Sequence, residues 1–222
     1  MMRRLLPLGF FCLTLSCSWL VAQDEEKLAS GPKVGTNLPS SFDCYNANGE
    51  AEGKFRSLVT KFYPHPSVFV FVRENAEEKD GAVPELLKKL DDAMDQFKDD
   101  GLKATVIYLS DAARSSADTK ETDPAKLVAE AQARDALYKR LANRAMGVKN
   151  VIIACYTAEG PKGYQLNPSA EVTALFTLKH KVAANFAFEA GKMTPEDGDR
   201  IVSAVRKALR PDEKAGAKGA KG

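Results

Sequence analysis

Ser67-Val-Phe-Val-Phe-Val-Arg-Glu74 is a run of consecutive β-formers without the polar alternation of a half-exposed strand. It predicts a strand buried on both faces, and such a strand lies at the centre of a sheet. Ligands of open α/β sheets gather just beyond the carboxyl ends of the strands. In this chain that place is taken by Asn75-Ala-Glu-Glu-Lys-Asp-Gly81, which holds no cysteine, serine, threonine or histidine. The order of residues therefore speaks more clearly about fold than about activity.

Arg3 and Arg4 precede an apolar run from Leu5 to Ala22, which gives way abruptly to Gln23-Asp-Glu-Glu26. Basic, then apolar, then a small residue at the cut is the pattern of a signal peptide over residues 1–22, and it predicts a secreted or periplasmic protein cleaved near Ala22. A retained membrane anchor is the alternative, because the run is close to the shortest that spans a bilayer. A lipoprotein at Cys17 is a weaker one, with Thr14 where a leucine is expected. Two basic residues leave with the signal, so the 32 Lys+Arg fall to match the 30 Asp+Glu. A neutral mature chain points to no nucleic-acid partner and no membrane attachment beyond the signal. The roughly 200 remaining residues suffice for one α/β domain.

Cys12 and Cys17 also leave, so Cys44 and Cys155 are the thiols of the mature protein. Both stand in strand-like surroundings, Phe42-Asp-Cys-Tyr45 and Val151-Ile-Ile-Ala-Cys-Tyr156. Three readings are open: buried core thiols, a structural disulfide formed in an oxidising compartment, and reactive thiols.

Residues 23–37 read as a polar, extended lead-in, and residues 41–46 as a first strand ending in Asn46-Ala-Asn-Gly49. Phe55, Leu58, Val59 and Phe62 recur at helical spacing over residues 54–62, until Tyr63-Pro-His-Pro66 forbids further helix. Leu86, Leu87, Leu90, Ala93, Met94 and Phe97 predict a helix that begins near Pro84 and closes at Gly101. Its other face, Lys88, Lys89, Asp91, Asp92, Asp95 and Lys98, reads as solvated. A strand over 104–109 follows, with Ser110 and Asp111 at its carboxyl end, where the plainer reading is a turn or helix cap. Residues 112–123 read as a surface loop.

Thr122-Asp-Pro124 starts a long helix that carries Leu127, Val128, Ala131, Leu137, Leu141 and Ala145 to Gly147. A strand over 150–156 and a loop rich in Gly and Pro come next. Residues 172–177 and 181–188 are joined so closely that they predict an antiparallel hairpin. Thr194-Pro-Glu-Asp197 then opens a last helix, and residues 211–222 form a Lys/Ala/Gly tail of disordered composition.

This order, with crossovers first and an antiparallel pair last, resembles the thioredoxin fold. The likeness rests on Val34-Gly-Thr-Asn-Leu-Pro-Ser-Ser-Phe42 with Asn48-Gly49, on Pro66 to Val72, and on Val172-Thr-Ala-Leu-Phe-Thr177. The extra strand around Val151 to Tyr156 is similar to the peroxiredoxin and alkyl hydroperoxide reductase branch. The resemblance implies an α/β domain over residues 38–210 in three layers, helices on either side of a mixed sheet with an antiparallel closing hairpin. It also implies a nucleophilic cysteine after the central strand, in a setting that lowers its pKa, and a cis-proline before the hairpin strand. This chain has Glu74-Asn75-Ala76-Glu77-Glu78 in the first place and Val172 in the second. Neither Cys44 nor Cys155 matches the catalytic position.

Two histidines, His65 and His180, without a Cys/His cluster predict no metal site, and the absence of a phosphate loop, dinucleotide turn or serine elbow predicts no cofactor. The expectation is a thioredoxin-like protein that has lost thiol chemistry and binds a partner, another exported protein. Its contact edge would comprise Arg73, Glu74, Asn75, Ser110 and Asp111, with Tyr164 and Glu171 from the neighbouring loop. The alternative, implied by the resemblance, is a thiol-disulfide oxidoreductase or peroxiredoxin-like antioxidant that works through Cys44 or Cys155.

Overall fold

The computed structural model describes residues 28–73, 81–114 and 121–211. The signal segment 1–22, Glu74, Asn75 and the tail from 212 onward lie outside the described residues. The central strand is β3, Ser67–Arg73, whose first six residues are buried. Val68, Val70 and Val72 point to one side and Phe69 and Phe71 to the other, the period of two that a pleated strand imposes. On one flank β4 (Lys103–Leu109) pairs with it in parallel, and on the other β6 (Ala170–Leu178) pairs antiparallel.

The remaining strands are β1 (Cys44–Asn46), β2 (Phe55–Arg56), β5 (Ile152–Tyr156) and β7 (Lys181–Glu189). Together they form one seven-stranded sheet in the order β2-β1-β5-β4-β3-β6-β7. The β6–β7 connection is a two-residue turn, Lys179-His180, with both φ values positive, as the twist of a tight hairpin demands.

Helices α2 (Ala82–Gln96), α3 (Pro124–Ala145) and α4 (Pro195–Leu209) cover the valine face. Helix α1 (Leu58–Phe62) covers the phenylalanine face together with Leu38 and Tyr164. These are the three layers expected of a thioredoxin-like domain.

Several local expectations are corrected. Phe55 is not on a helix: Gly53 at φ +73° and the Asn46 amide, which donates to the Lys54 carbonyl at 3.1 Å, turn the chain back along β1, so residues 55–56 form an edge strand and Phe55 is 54 % exposed. The helix begins only after Ser57, whose hydroxyl accepts from the Thr60 N–H. In α3 only Leu137, Leu141 and Ala145 are buried, and Val128 is exposed. A 22-residue helix extends about 33 Å and the five-residue strand β5 about 17 Å, so the first half of α3 overhangs the sheet.

The lead-in is part of the domain. Gly35 N–H donates to the Val182 carbonyl, Val182 N–H to Thr36, and Leu38 N–H to His180, so residues 35–38 line the free edge of β7. Further back, Ser30 is buried, with its hydroxyl 2.7 Å from that of Thr173. Gly31, at φ +81°, lies so close to the sheet that a Cβ would approach Leu175 within 3.2 Å. The domain therefore starts before residue 38.

The charged face of α2 is not merely solvated. The Asp91 carboxylate accepts from the consecutive N–H groups of Lys149, Asn150 and Val151, a concave run of donors that suits an anion. Lys89 donates to the Pro195 carbonyl at 2.7 Å and pairs with Asp199 at 2.9 Å, tying α2 to the start of α4.

Candidate functional site

Strands β3, β4 and β5 end side by side at Arg73, Leu109 and Tyr156, since they are mutually parallel and in register there. The Arg73 guanidinium donates to three main-chain carbonyls, Ala158 at 2.8 Å, Ala170 at 3.0 Å and Asn167 at 3.2 Å. All three belong to the β5–β6 connection or its junction with β6, which contains no helix. A planar fork of donors can satisfy several acceptors at once, and here it holds a long irregular loop against the sheet. Arg73 is a staple, not a free cation at a contact edge.

At Ser110 the plainer reading of a cap holds, and its place on the contact edge is corrected: it is buried, its hydroxyl accepts from the Ala112 N–H at 3.1 Å and its own N–H donates to Tyr156. It caps the short 3₁₀ turn Asp111–Ala113. Tyr164 is wholly buried between Phe42 and Phe71, with ring centroids 5.2 and 5.6 Å away, so its ring is core and not contact surface. Glu171 accepts from the Gly191 N–H at 2.7 Å and secures the turn after β7.

Asp111 remains exposed. It lines a cavity of about 380 Å³ with Arg114, Glu130 and Ala133. Arg114 pairs with Glu159, whose carboxyl is held below its usual range by its own backbone N–H, the Thr157 hydroxyl and Arg114. Of the seven residues proposed for this edge, Arg73, Ser110 and Asp111 do converge, and Tyr164 lies beneath them. The polar groups of the first two, however, are engaged by main chain, Arg73 by the β5–β6 connection and Ser110 by the turn it caps.

Cys44 and Cys155 are free and buried. They lie on adjacent antiparallel strands, where Cys155 faces Tyr45 directly. Because successive side chains alternate across a sheet, Cys44 falls in the phenylalanine-side cluster and Cys155 in the valine-side one. The sheet thus separates the two sulfurs, and a disulfide would require a slipped register. Burial pushes both thiols up to about 12, the charge of Asp43 adding to it for Cys44 and that of Cys44 for Cys155. The Cys44 Sγ–H also donates to the Arg56 carbonyl at 3.4 Å.

Among the described residues there is no group of three or more His, Cys, Asp or Glu that could hold a metal ion, and no helix long and apolar enough to cross a membrane. His180 packs edge-on to Tyr63 at 5.9 Å. Val172 sits inside β6, paired with Val72 and Phe188, while the cis peptide bond among the described residues is Tyr63–Pro64.

The roles of Arg73 and Asp91 are not visible in the linear pattern, since every partner lies more than fifty residues away. A lone arginine that ends a buried strand was the one available signal.

No family model and no curated protein matches this sequence. Solved structures do. An uncharacterised protein of Geobacillus kaustophilus aligns with a TM-score of 0.52 at 13 % identity, over 81 % of this chain and 83 % of that one. A hypothetical protein of Sinorhizobium meliloti gives 0.51 at 12 % identity, over 82 % and 89 %. The thioredoxin domain of a thiol-disulfide oxidoreductase of Bacteroides vulgatus gives 0.45 at 12 % identity, over 81 % and 99 %. With β3 flanked by parallel β4 and antiparallel β6, and with helices on both faces, the chain has a thioredoxin-like α/β fold.

Proposed function

We propose that this is an exported thioredoxin-fold protein that acts as a binding module and not through a reactive thiol. The observation that carries the reading is the state of the two cysteines, buried on opposite faces of the sheet and raised to about 12 by that burial. A thiol must be partly ionised and reachable to attack a disulfide or a peroxide. The segment after the central strand supplies no substitute, since residues 74–81 contain no cysteine. Export is supported by the basic and apolar order of residues 1–22. The contact surface is the carboxyl edge around Asp111, and the partner is another exported protein.

The test is alkylation of the native protein at pH 8, followed by mass spectrometry. A thiol at about 12 carries roughly a thousandfold less thiolate than an ordinary one, so Cys44 and Cys155 should label only after denaturation. Rapid native labelling of either would move the protein to the competing reading, a thiol-disulfide oxidoreductase or peroxiredoxin-like antioxidant. Asp111→Arg should then abolish capture of the partner without changing the melting temperature.

A further inference from the structure

At the other end of the sheet, the amino ends of β3, β4 and β5 border a cleft of about 370 Å³. Lys61 from α1, His65 from the turn before β3, Lys103 at the head of β4 and Lys149 before β5 all line it, with Glu50 as the one carboxylate. Glu50 pairs with Lys61 at 2.9 Å, and Lys149 pairs at 3.6 Å with Asp95 on the rim. Lys103 has no ion pair among the described residues. Its position is set by the sheet, because its N–H donates to Pro66 and its strand pairing is with Ser67.

His65 is seated as firmly. Its N–H donates to the Phe62 carbonyl at 2.7 Å, and Gly101 leaves room for the ring, since a Cβ there would come within 2.7 Å of Nδ1. Phe62, Met94 and Ile152 contribute the apolar part of a lining that is otherwise polar and charged. Lys61, by hydrogen bond and charge, and then Lys103 hold the Glu50 carboxyl below its usual range.

We propose that this cleft binds a small organic anion, with an oxyanion head on Lys103 and Lys149 and an apolar body against Phe62, Met94 and Ile152. The volume is that of a small-molecule pocket, and the lining brings apolar side chains together with charged ones. Lys103, with no carboxylate partner among the described residues, gains most from an oxyanion through charge-assisted hydrogen bonds, while Lys149 would share its ammonium with Asp95. The head is a phosphate or a carboxylate, which share this chemistry. The proposal is independent of the function assigned above, because it concerns the opposite edge of the sheet.

Phenyl phosphate and inorganic phosphate are the probes, titrated into the ¹⁵N-labelled mature chain at constant ionic strength. Saturable shifts are expected at the amides of Lys103, Lys149 and Ile152, with phenyl phosphate the tighter ligand. Lys103→Gln should weaken phenyl phosphate about tenfold, the value of one charge-assisted contact, and Lys149→Gln should do the same if the first variant fails to fold. Lys192→Gln, in the turn after β7, should change nothing. Shifts that map elsewhere, equal affinity for the two probes, or affinity unmoved by either cleft variant would overturn the proposal.

Discussion

At the carboxyl ends of β3 and β4, Arg73 is hydrogen-bonded to the backbone of the β5–β6 connection and Ser110 to that of the turn it caps, whereas at the amino ends Lys103 borders a cleft without an ion pair among the described residues. The two edges belong to the same three strands, so strand chemistry does not account for the difference. The connections do. Beyond Tyr156 the chain crosses to β6 through residues 157–169 without a helix, and a side chain from the sheet supplies donors to two of its main-chain carbonyls. Before β5 the chain arrives from α3 in a tight turn, and there a carboxylate of α2 satisfies the N–H groups, which leaves the neighbouring lysines unengaged by the backbone. An edge that the fold must brace has fewer free polar groups for a ligand.

The strongest way to break this comparison is Arg73→Ala. Three carbonyls would lose a charged donor, and urea denaturation should report a loss of about 3 kcal/mol. Arg73→Lys should recover less than half of it, because one ammonium cannot reach three separated acceptors. A loss below about 1 kcal/mol would remove the staple and reopen Arg73 as a ligand group.

Asp91→Ala comes next, at about 2 kcal/mol, since three N–H groups lose one acceptor and two of them can turn to water. Hydrogen exchange should quicken at Asn150 and Val151 before any residue of β5.

Asp197 gives a smaller and pH-dependent effect. Burial would raise its carboxyl, but the Thr194 N–H and hydroxyl and the Arg200 guanidinium outweigh that and hold it below its ordinary 3.8. A folded pKa below the unfolded one contributes stability above the unfolded value and loses it as pH falls through the folded value. Asp197→Asn should therefore be less stable than the parent by about 1 kcal/mol at pH 6, and the gap should close below about pH 4. A gap that persists at pH 2 would assign the loss to packing and not to charge.

Lys103→Gln is the smallest change, within about 0.5 kcal/mol of the parent, as expected of a side chain that braces nothing. A larger loss would show that the amino edge is held by its side chains after all, and the contrast between the two edges would fail.

Much of the fold was legible locally. Ser67 to Arg73 could be nothing but a doubly covered strand, Asp123-Pro124 and Thr194-Pro195 did start helices, and the closeness of Leu178 to Lys181 forced a hairpin. The spacing of Phe55 from Leu58 and Phe62 is equally helical by count, and the turn at Gly53 with the bonds between Asn46 and Lys54 decides for a strand. Tyr164 sat in a loop rich in Gly and Pro, whose composition suggests exposure, yet its ring fills the gap between Phe42 and Phe71. No local pattern can show that, because the void belongs to residues far away in the chain.

What the sequence determined alone is the sheet's centre, the helix starts and the want of a cysteine after the central strand, all set by short-range periodicity and by residue identity. Only the tertiary structure decided that Cys44 and Cys155 face opposite sides of the sheet, because their separation follows from the register of β1 on β5. It decided likewise that Arg73 and Asp91 brace loops while Lys103 remains unpaired among the described residues, since hydrogen-bond partners are chosen by proximity in space and not along the chain.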